Sequence, residues 1–190
     1  NKFMKITLFS IILLFSINGF AVNWKKLSEN KSGSSFYEEA KETKVKLGLT
    51  KRTDNAVTLS SAYVVKYTDY FATEVYGRIK RDNDHDYDVK LHLAGISSEG
   101  NKSLKYGVGQ KMGNGTDYTY WLIQPSMKFK LDDNISLSPS IRFRDDINGY
   151  DKFDYTFGTT LGYKSYSLGI KKKYAPHGTD YLGVYIGYSF

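Results

Sequence analysis

From residue 43 onward, apolar side chains recur on every second position. One parity reads Thr43-Val45-Leu47-Leu49, Val57-Leu59-Ser61-Tyr63-Val65-Tyr67, Phe71-Thr73-Val75-Gly77-Ile79 and Tyr87-Val89-Leu91-Leu93. It continues through Leu104-Tyr106-Val108, Trp121-Ile123-Pro125-Met127-Phe129-Leu131, Ile135-Leu137-Pro139-Ile141-Phe143 and Phe153-Tyr155-Phe157-Thr159-Leu161-Tyr163. Tyr166-Leu168-Ile170 and Leu182-Val184-Ile186-Tyr188-Phe190 complete the series. Successive side chains of a strand point to opposite faces, so a period of two marks strands with one apolar and one polar face. Only a weak segment from Phe36 to Ala40 has a helical period. The pattern predicts an all-β chain of about ten strands, within a range of about eight to twelve, each near the ~9 to 11 residues of a tilted membrane-crossing strand.

The connections differ in kind. Thr68-Asp69, Asp132-Asp133-Asn134 and Lys164-Ser165 read as tight turns, whereas Arg81 to Asp86, Lys111 to Asp117, Asp145 to Lys152 and Tyr174 to Asp180 read as longer polar loops. With both chain ends on one side, the tight turns share that side and the loops lie opposite, the asymmetry of outer-membrane barrels. Lys51 to Asn55 is short for an outer loop and Ile96 to Asn101 long for an inner turn. Pro125 and Pro139 each remove a ladder donor and suggest a bulge.

Near the start, Lys2 and Lys5 precede an apolar run from Ile6 to Phe15, followed by Asn18-Gly19-Phe20-Ala21 with small residues before Val22. This reads as a secretory signal peptide over residues 1–21, with a barrel domain over 22–190. The apolar run is shorter than the ~20 residues a spanning helix needs. Export places the barrel, by this reading, in the outer membrane of a Gram-negative type of cell. The segment Leu182 to Phe190, alternating to an aromatic end, reads as the closing strand and as the signal engaged by the outer-membrane insertion machinery. That strand must pair with the first, because hydrocarbon cannot satisfy an open sheet edge.

Composition supports this class. The chain of 190 residues has no Cys, so thiolate nucleophiles, thiolate metal sites and disulfide frameworks are excluded. A mean hydropathy of -0.46 with 17 Tyr, 11 Phe and 17 Gly suits a barrel in which only alternate residues meet lipid. Without Lys2 and Lys5, 25 of the 27 basic side chains remain against 20 acids, a net charge of +5.

The polar parity carries Lys44, Lys46, Lys66, Arg78, Lys80, Lys90, Lys105, Lys111, Lys128, Lys130, Arg142, Arg144, Lys164, Lys171 and Lys173, against four acids, Glu42, Glu74, Asp88 and Asp154. The apolar parity holds Lys51, Arg81 and Lys172 at or near strand ends, where long side chains can snorkel. Fifteen bases cannot pair with four acids, and the surplus calls for water or an anionic ligand. The alternative is that several lysines sit at rims facing lipopolysaccharide.

Other candidate chemistry is thin. Asp82, Asp84, Asp86 and Asp88 open like a calcium loop, but Tyr87 stands where Gly is needed and Leu93 where the bidentate Glu is needed. His85, His92 and His177 have no serine at a spacing suited to a nucleophile and base. Tyr and Trp near strand ends read as interfacial girdles. No cofactor, metal, catalytic residue or nucleic-acid partner is expected.

The stretch Gln124-Pro125-Ser126-Met127-Lys128-Phe129-Lys130-Leu131-Asp132-Asp133-Asn134-Ile135-Ser136-Leu137, followed by Ile141-Arg142-Phe143-Arg144, resembles a hairpin of the oligogalacturonate-specific monomeric porin family. The shared features are a Pro-containing strand, an acidic-Asn turn and a strand ending Arg-aromatic-Arg, and the segment Gly183 to Phe190 is compatible with that family. The resemblance implies a monomeric outer-membrane channel for acidic oligosaccharides with a narrow basic pore, and carries over Arg142 and Arg144 alone. The remaining pore-lining candidates, Lys128, Lys130, Arg78, Lys80, Lys90, Lys105, Lys44, Lys46, Lys66 and Lys171, follow from alternation. The chain departs from the family in having about ten strands where the family has twelve, and in favouring lysine, a hydrated point charge, over the rigid arginine fork. The expected function is diffusion of anionic solutes, uronate-like oligosaccharides among them. A nonconducting structural or adhesive barrel is the alternative.

Overall fold

A computed structural model describes residues 42–82, 87–113, 115 and 117–190. The expected signal peptide, and residues 22–41 of the expected barrel domain, lie outside the described residues.

The strands are β1 (Glu42–Arg52), β2 (Val57–Lys66), β3 (Phe71–Arg81), β4 (Tyr87–Glu99), β5 (Lys102–Met112), β6 (Tyr118–Met127), β7 (Phe129–Lys130), β8 (Ile135–Asp146), β9 (Asp154–Tyr163), β10 (Tyr166–Tyr174) and β11 (Tyr181–Ser189). Each pairs antiparallel with its neighbour, and β1 closes the ring against β11, from Lys46 opposite Ser189 to Arg52 opposite Gly183. Both β6 and β7 pair with β8 and together form one stave interrupted at Lys128. The architecture is an all-β, antiparallel, closed ten-stave barrel, with no helix among the described residues. Closure leaves no sheet edge unpaired.

The two irregular connections resolve within this order. Alternation continues past Leu49 to Arg52, so the first loop is residues 53–56, with Asn55 left-handed at φ 63°. Strand β4 runs on to Glu99, and the supposed long connection is a two-residue turn at Gly100-Asn101. Gly100 there has φ 58°, a conformation most side chains disfavour.

The expected bulge is absent. Paired positions in β6 and β8 keep one register from Tyr120 opposite Asp146, through Ser126 opposite Ser140, to Phe129 opposite Leu137 in β7, so no residue is inserted. The ladder skips pairs around Pro125 and Pro139 because neither proline has an N–H to give.

The apolar parity faces outward on every stave. Leu49, Leu59, Leu93, Ile170 and Ile186 all stand exposed, Ile186 at 61%. An apolar belt around the whole circumference far exceeds the patches a water-soluble monomer tolerates.

Inside, the ends differ. Toward the end bearing residues 53–56, 147–153 and 175–180, the lumen is packed: Thr50, Arg52, Thr58, Asp88, Lys90, Lys111, Arg144, Asp146 and Asp154 are buried with Tyr118, Tyr120, Leu122 and Tyr181. Tyr118, Tyr120 and Leu122 form the buried apolar cluster, so the core lies within the barrel. Toward the end with the tight turns, Lys44, Lys46, Lys128 and Lys130 are exposed, and the inward positions of β8 to β10 are small: Ser136, Ser138, Ser140, Gly158, Thr160, Gly162, Ser167 and Gly169. Close packing makes glycine obligatory where rings lie against the wall. A Cβ on Gly109 would overlap the Tyr120 ring, and one on Gly169 the Tyr185 ring.

Candidate functional site

The inward parity is continuous around the ring. Lys46 stands opposite Ala62, Ala62 opposite Tyr76, Tyr76 opposite His92 and His92 opposite Gly109. Arg78 stands opposite Lys90 and Lys90 opposite Lys111, so three cations are direct cross-strand neighbours. Their alternation with outward apolar residues fixes which way they point, because a one-residue slip would turn every lysine into lipid.

Each of the four acids anticipated inside the barrel is taken by bases. Glu42 pairs with Lys44 at 2.9 Å near the turn end. Glu74, 3% exposed, receives Lys105 Nζ at 2.7 and 2.9 Å on its two oxygens and lies 3.0 Å from His92 Nε2. Lys105 reaches from β5 to β3 over Ala94, whose small side chain is buried between them. Asp88 accepts from Arg78 at 2.7 Å and pairs with Lys80 at 3.2 Å. Asp154 accepts from Arg144, with Nε at 3.0 Å, and pairs with Lys173 at 3.5 Å.

Among the candidate pore residues, the structure therefore brings Lys44, Arg78, Lys80, Lys105 and Arg144 into carboxylate pairs. Lys66 pairs with Asp69 of the adjoining turn at 3.2 Å. The others have different neighbours. Lys90 donates to the Tyr118 hydroxyl at 3.2 Å and lies 5.6 Å from the ring centres of Tyr118 and Tyr120. Lys171 donates to Thr50 Oγ1 at 3.1 Å. Arg142 donates to Thr156 Oγ1 at 3.1 Å, and its buried Nε has no acceptor. Lys46, Lys128 and Lys130 project into the exposed turn-end half. Arg142 and Arg144 face the same way on β8 but differ in role: Arg144 is clamped to Asp154 and lies 5.3 Å from the Tyr120 ring centre, whereas Arg142 has no carboxylate.

Between these groups is a cavity of about 20 Å³ lined by Tyr76, Arg78, Lys90, His92, Tyr120, Leu122, Arg142 and Arg144. Its wall holds four cations and no carboxylate. Among the described residues no group of His, Asp and Glu could hold a metal. Asp88 is committed to Arg78 and Lys80, while Asp84 and Asp86 lie outside the described residues.

Two features escaped sequence reasoning. Arg52 lies beyond Leu49, where the apolar alternation of the first strand stops; it points inward, is held by Asp54, and stacks 3.7 Å from the Tyr181 ring centre. Tyr118, Tyr120 and Tyr181 are buried inside the barrel and form no part of an interfacial girdle. Their parity, opposite to that of Trp121 and Leu182, was the signal that separates them.

No protein-family model and no curated protein sequence matches the chain. Among solved structures, it is similar to a KdgM porin in complex with disordered oligogalacturonate at 10% identity and a TM-score of 0.47, over 77% of this chain and 99% of that one. It is also similar to a de novo designed transmembrane β-barrel at 10% identity and 0.38, over 80% of this chain and all of that one. The N-terminal barrel domain of Pseudomonas aeruginosa OprF follows at 9% identity and 0.34, over 78% and 96%. These likenesses are to barrels of the same general build and say nothing of what this one carries.

Proposed function

We propose that the protein is an outer-membrane channel that admits anionic solutes, acidic oligosaccharides of uronate type among them. The apolar belt supports a place in a bilayer, and strands provide the crossing, since closure leaves no strand at an open edge. The tight-turn end, where β1 begins and β11 finishes, is then periplasmic and the longer loops extracellular. The observation that carries the selectivity is the excess of inward cations over inward acids: Glu42, Glu74, Asp88 and Asp154 hold their bases and Asp146 accepts from the backbone of its loop, while Lys46, Lys128, Lys130, Arg142 and Lys171 have no carboxylate partner. Within a narrow low-dielectric wall such charge favours anions over cations. The barrel works as a monomer and enters the membrane through the insertion machinery by way of its closing strand. Planar-bilayer recording in a KCl gradient tests the reading: the reversal potential should have the sign of anion preference, and cation preference would overturn it.

A nonconducting structural barrel is the second reading, favoured by the packed loop half. Tyr120 at 1% exposure and Leu122 at 2% leave little room at that level. Absence of any single-channel current from folded, inserted protein would decide for it.

A further inference from the structure

We infer that the lumen binds one small inorganic anion, of halide size, in the cavity between Arg78, Lys90, Arg142 and Arg144. Cross-strand geometry is the first reason. Arg78 and Lys90 are directly opposed on β3 and β4, and directly opposed like charges destabilise a sheet unless something neutralises them. The local acids do only part of this. Asp88 is divided between Arg78 and Lys80, and Asp154 between Arg144 and Lys173, so Arg142 contributes a positive charge to the cavity wall, and Lys90 Nζ a donor, that no carboxylate contacts.

Unused donors are the second reason. The Nε groups of Arg78 and Arg142 are both buried without an acceptor, and both side chains line this cavity; the buried Asp154 Oδ1 also has no partner, but Asp154 is not part of the lining. Buried donors in folded proteins are almost always satisfied, so two on side chains that line one cavity point to an acceptor there. Size is the third. At about 20 Å³ the cavity has room for about one particle of water or small-halide size, and too little for a sugar ring. Water would fill the space and accept hydrogen bonds, but would leave the Arg142 guanidinium without a contacting anion. The Leu122 side chain on the same wall lowers the local polarity and strengthens attraction for an anion.

The site belongs to the closed barrel and stands whether or not the barrel conducts, so its test uses the full chain folded in uncharged detergent, with no current measured. Sodium bromide is compared with sodium gluconate at equal ionic strength. The thermal midpoint should rise with bromide and saturate, while gluconate, too large for the cavity, should have no such effect. Crystals grown in bromide should show one anomalous peak between the Arg142 guanidinium and Lys90 Nζ. Arg142→Gln should weaken the bromide response by about tenfold, the loss expected for one charged hydrogen bond, and Arg142→Lys should restore part of it. If Arg142→Gln does not fold, Lys90→Met takes its place with the same expected loss. Equal responses to bromide and gluconate, a cavity without an anomalous peak, or a bromide response unchanged in the folded variants would overturn the assignment.

Discussion

Replacing Asp154 by Asn removes one buried negative charge and leaves two cations facing each other. The carboxylate Oδ2 takes Arg144 through Nε at 3.0 Å and again through the guanidinium terminus, and Lys173 lies 3.5 Å away. Asp154 is 2% exposed and Arg144 5%, so water cannot stand in for the lost charge. Breaking a buried ion pair from one side costs about 3 to 5 kcal/mol, because the surviving charge stays buried and uncompensated. That range is a factor of roughly 10² to 10⁴ in the folding equilibrium. With a urea slope of about 2 kcal/mol per molar, it lowers the unfolding midpoint by roughly 1.5 to 2.5 M. The assay is urea unfolding in micelles, followed by loss of the heat-modifiable band and by tryptophan fluorescence. The decisive companion is the double variant Arg144→Gln with Asp154→Asn, which removes both buried charges of the pair and should recover most of the loss. A single variant within about 1 kcal/mol of the parent, or single effects that simply add in the double, would refute the claim that these residues act as a buried pair. If the barrel conducts, Asp154→Asn should also increase anion preference, since it frees Arg144 and Lys173 without adding bulk.

Ile186, outward on β11 between Leu49 and Leu168, should tolerate Leu but lose about 2 to 4 kcal/mol on replacement by Arg, measured by folding into vesicles; an unaffected Ile186→Arg would refute the lipid-facing assignment. Gly169→Val should cost about 1 to 3 kcal/mol because its side chain would meet the Tyr185 ring, and Tyr185→Ala in the same chain should relieve part of that cost; equal unfolding midpoints for Gly169→Val and the parent would refute the close approach.

Facing was readable along most of the described strands because lipid and lumen impose opposite chemistry on adjacent residues. A residue such as Lys46 between Val45 and Leu47 had one place to go. Strand ends were less readable. Ser97, Ser98 and Glu99 look like loop residues, yet they continue β4, since ladder pairing beyond the apolar belt needs no apolar side chain. The pairing of charges was not readable at all. Glu74 and Lys105 lie 31 residues apart on strands that do not touch, and they meet across β4, where the small Ala94 stands opposite Glu74. Nor could the sequence separate Arg142 from Arg144. Both share a face, and the difference lies in Asp154 standing opposite Arg144 and Thr156 opposite Arg142.

The two prolines of the β6–β8 hairpin give the wall a line of weakness. Elsewhere each stave is stitched to its neighbours along an unbroken run of residues, but here pairing lapses around Gln124-Pro125 and again around Met127-Lys128. Local opening begins where the fewest backbone bonds must break, so amides along this seam should exchange with solvent ahead of those in β3 or β4. Arg142 stands at one of the lapses, in the position that would face Gln124. The cation with an unfilled donor is thus mounted beside a break in the ladder on its β6 side, whereas Arg144, two residues on and bound to Asp154, stands where the pairing on both sides is continuous.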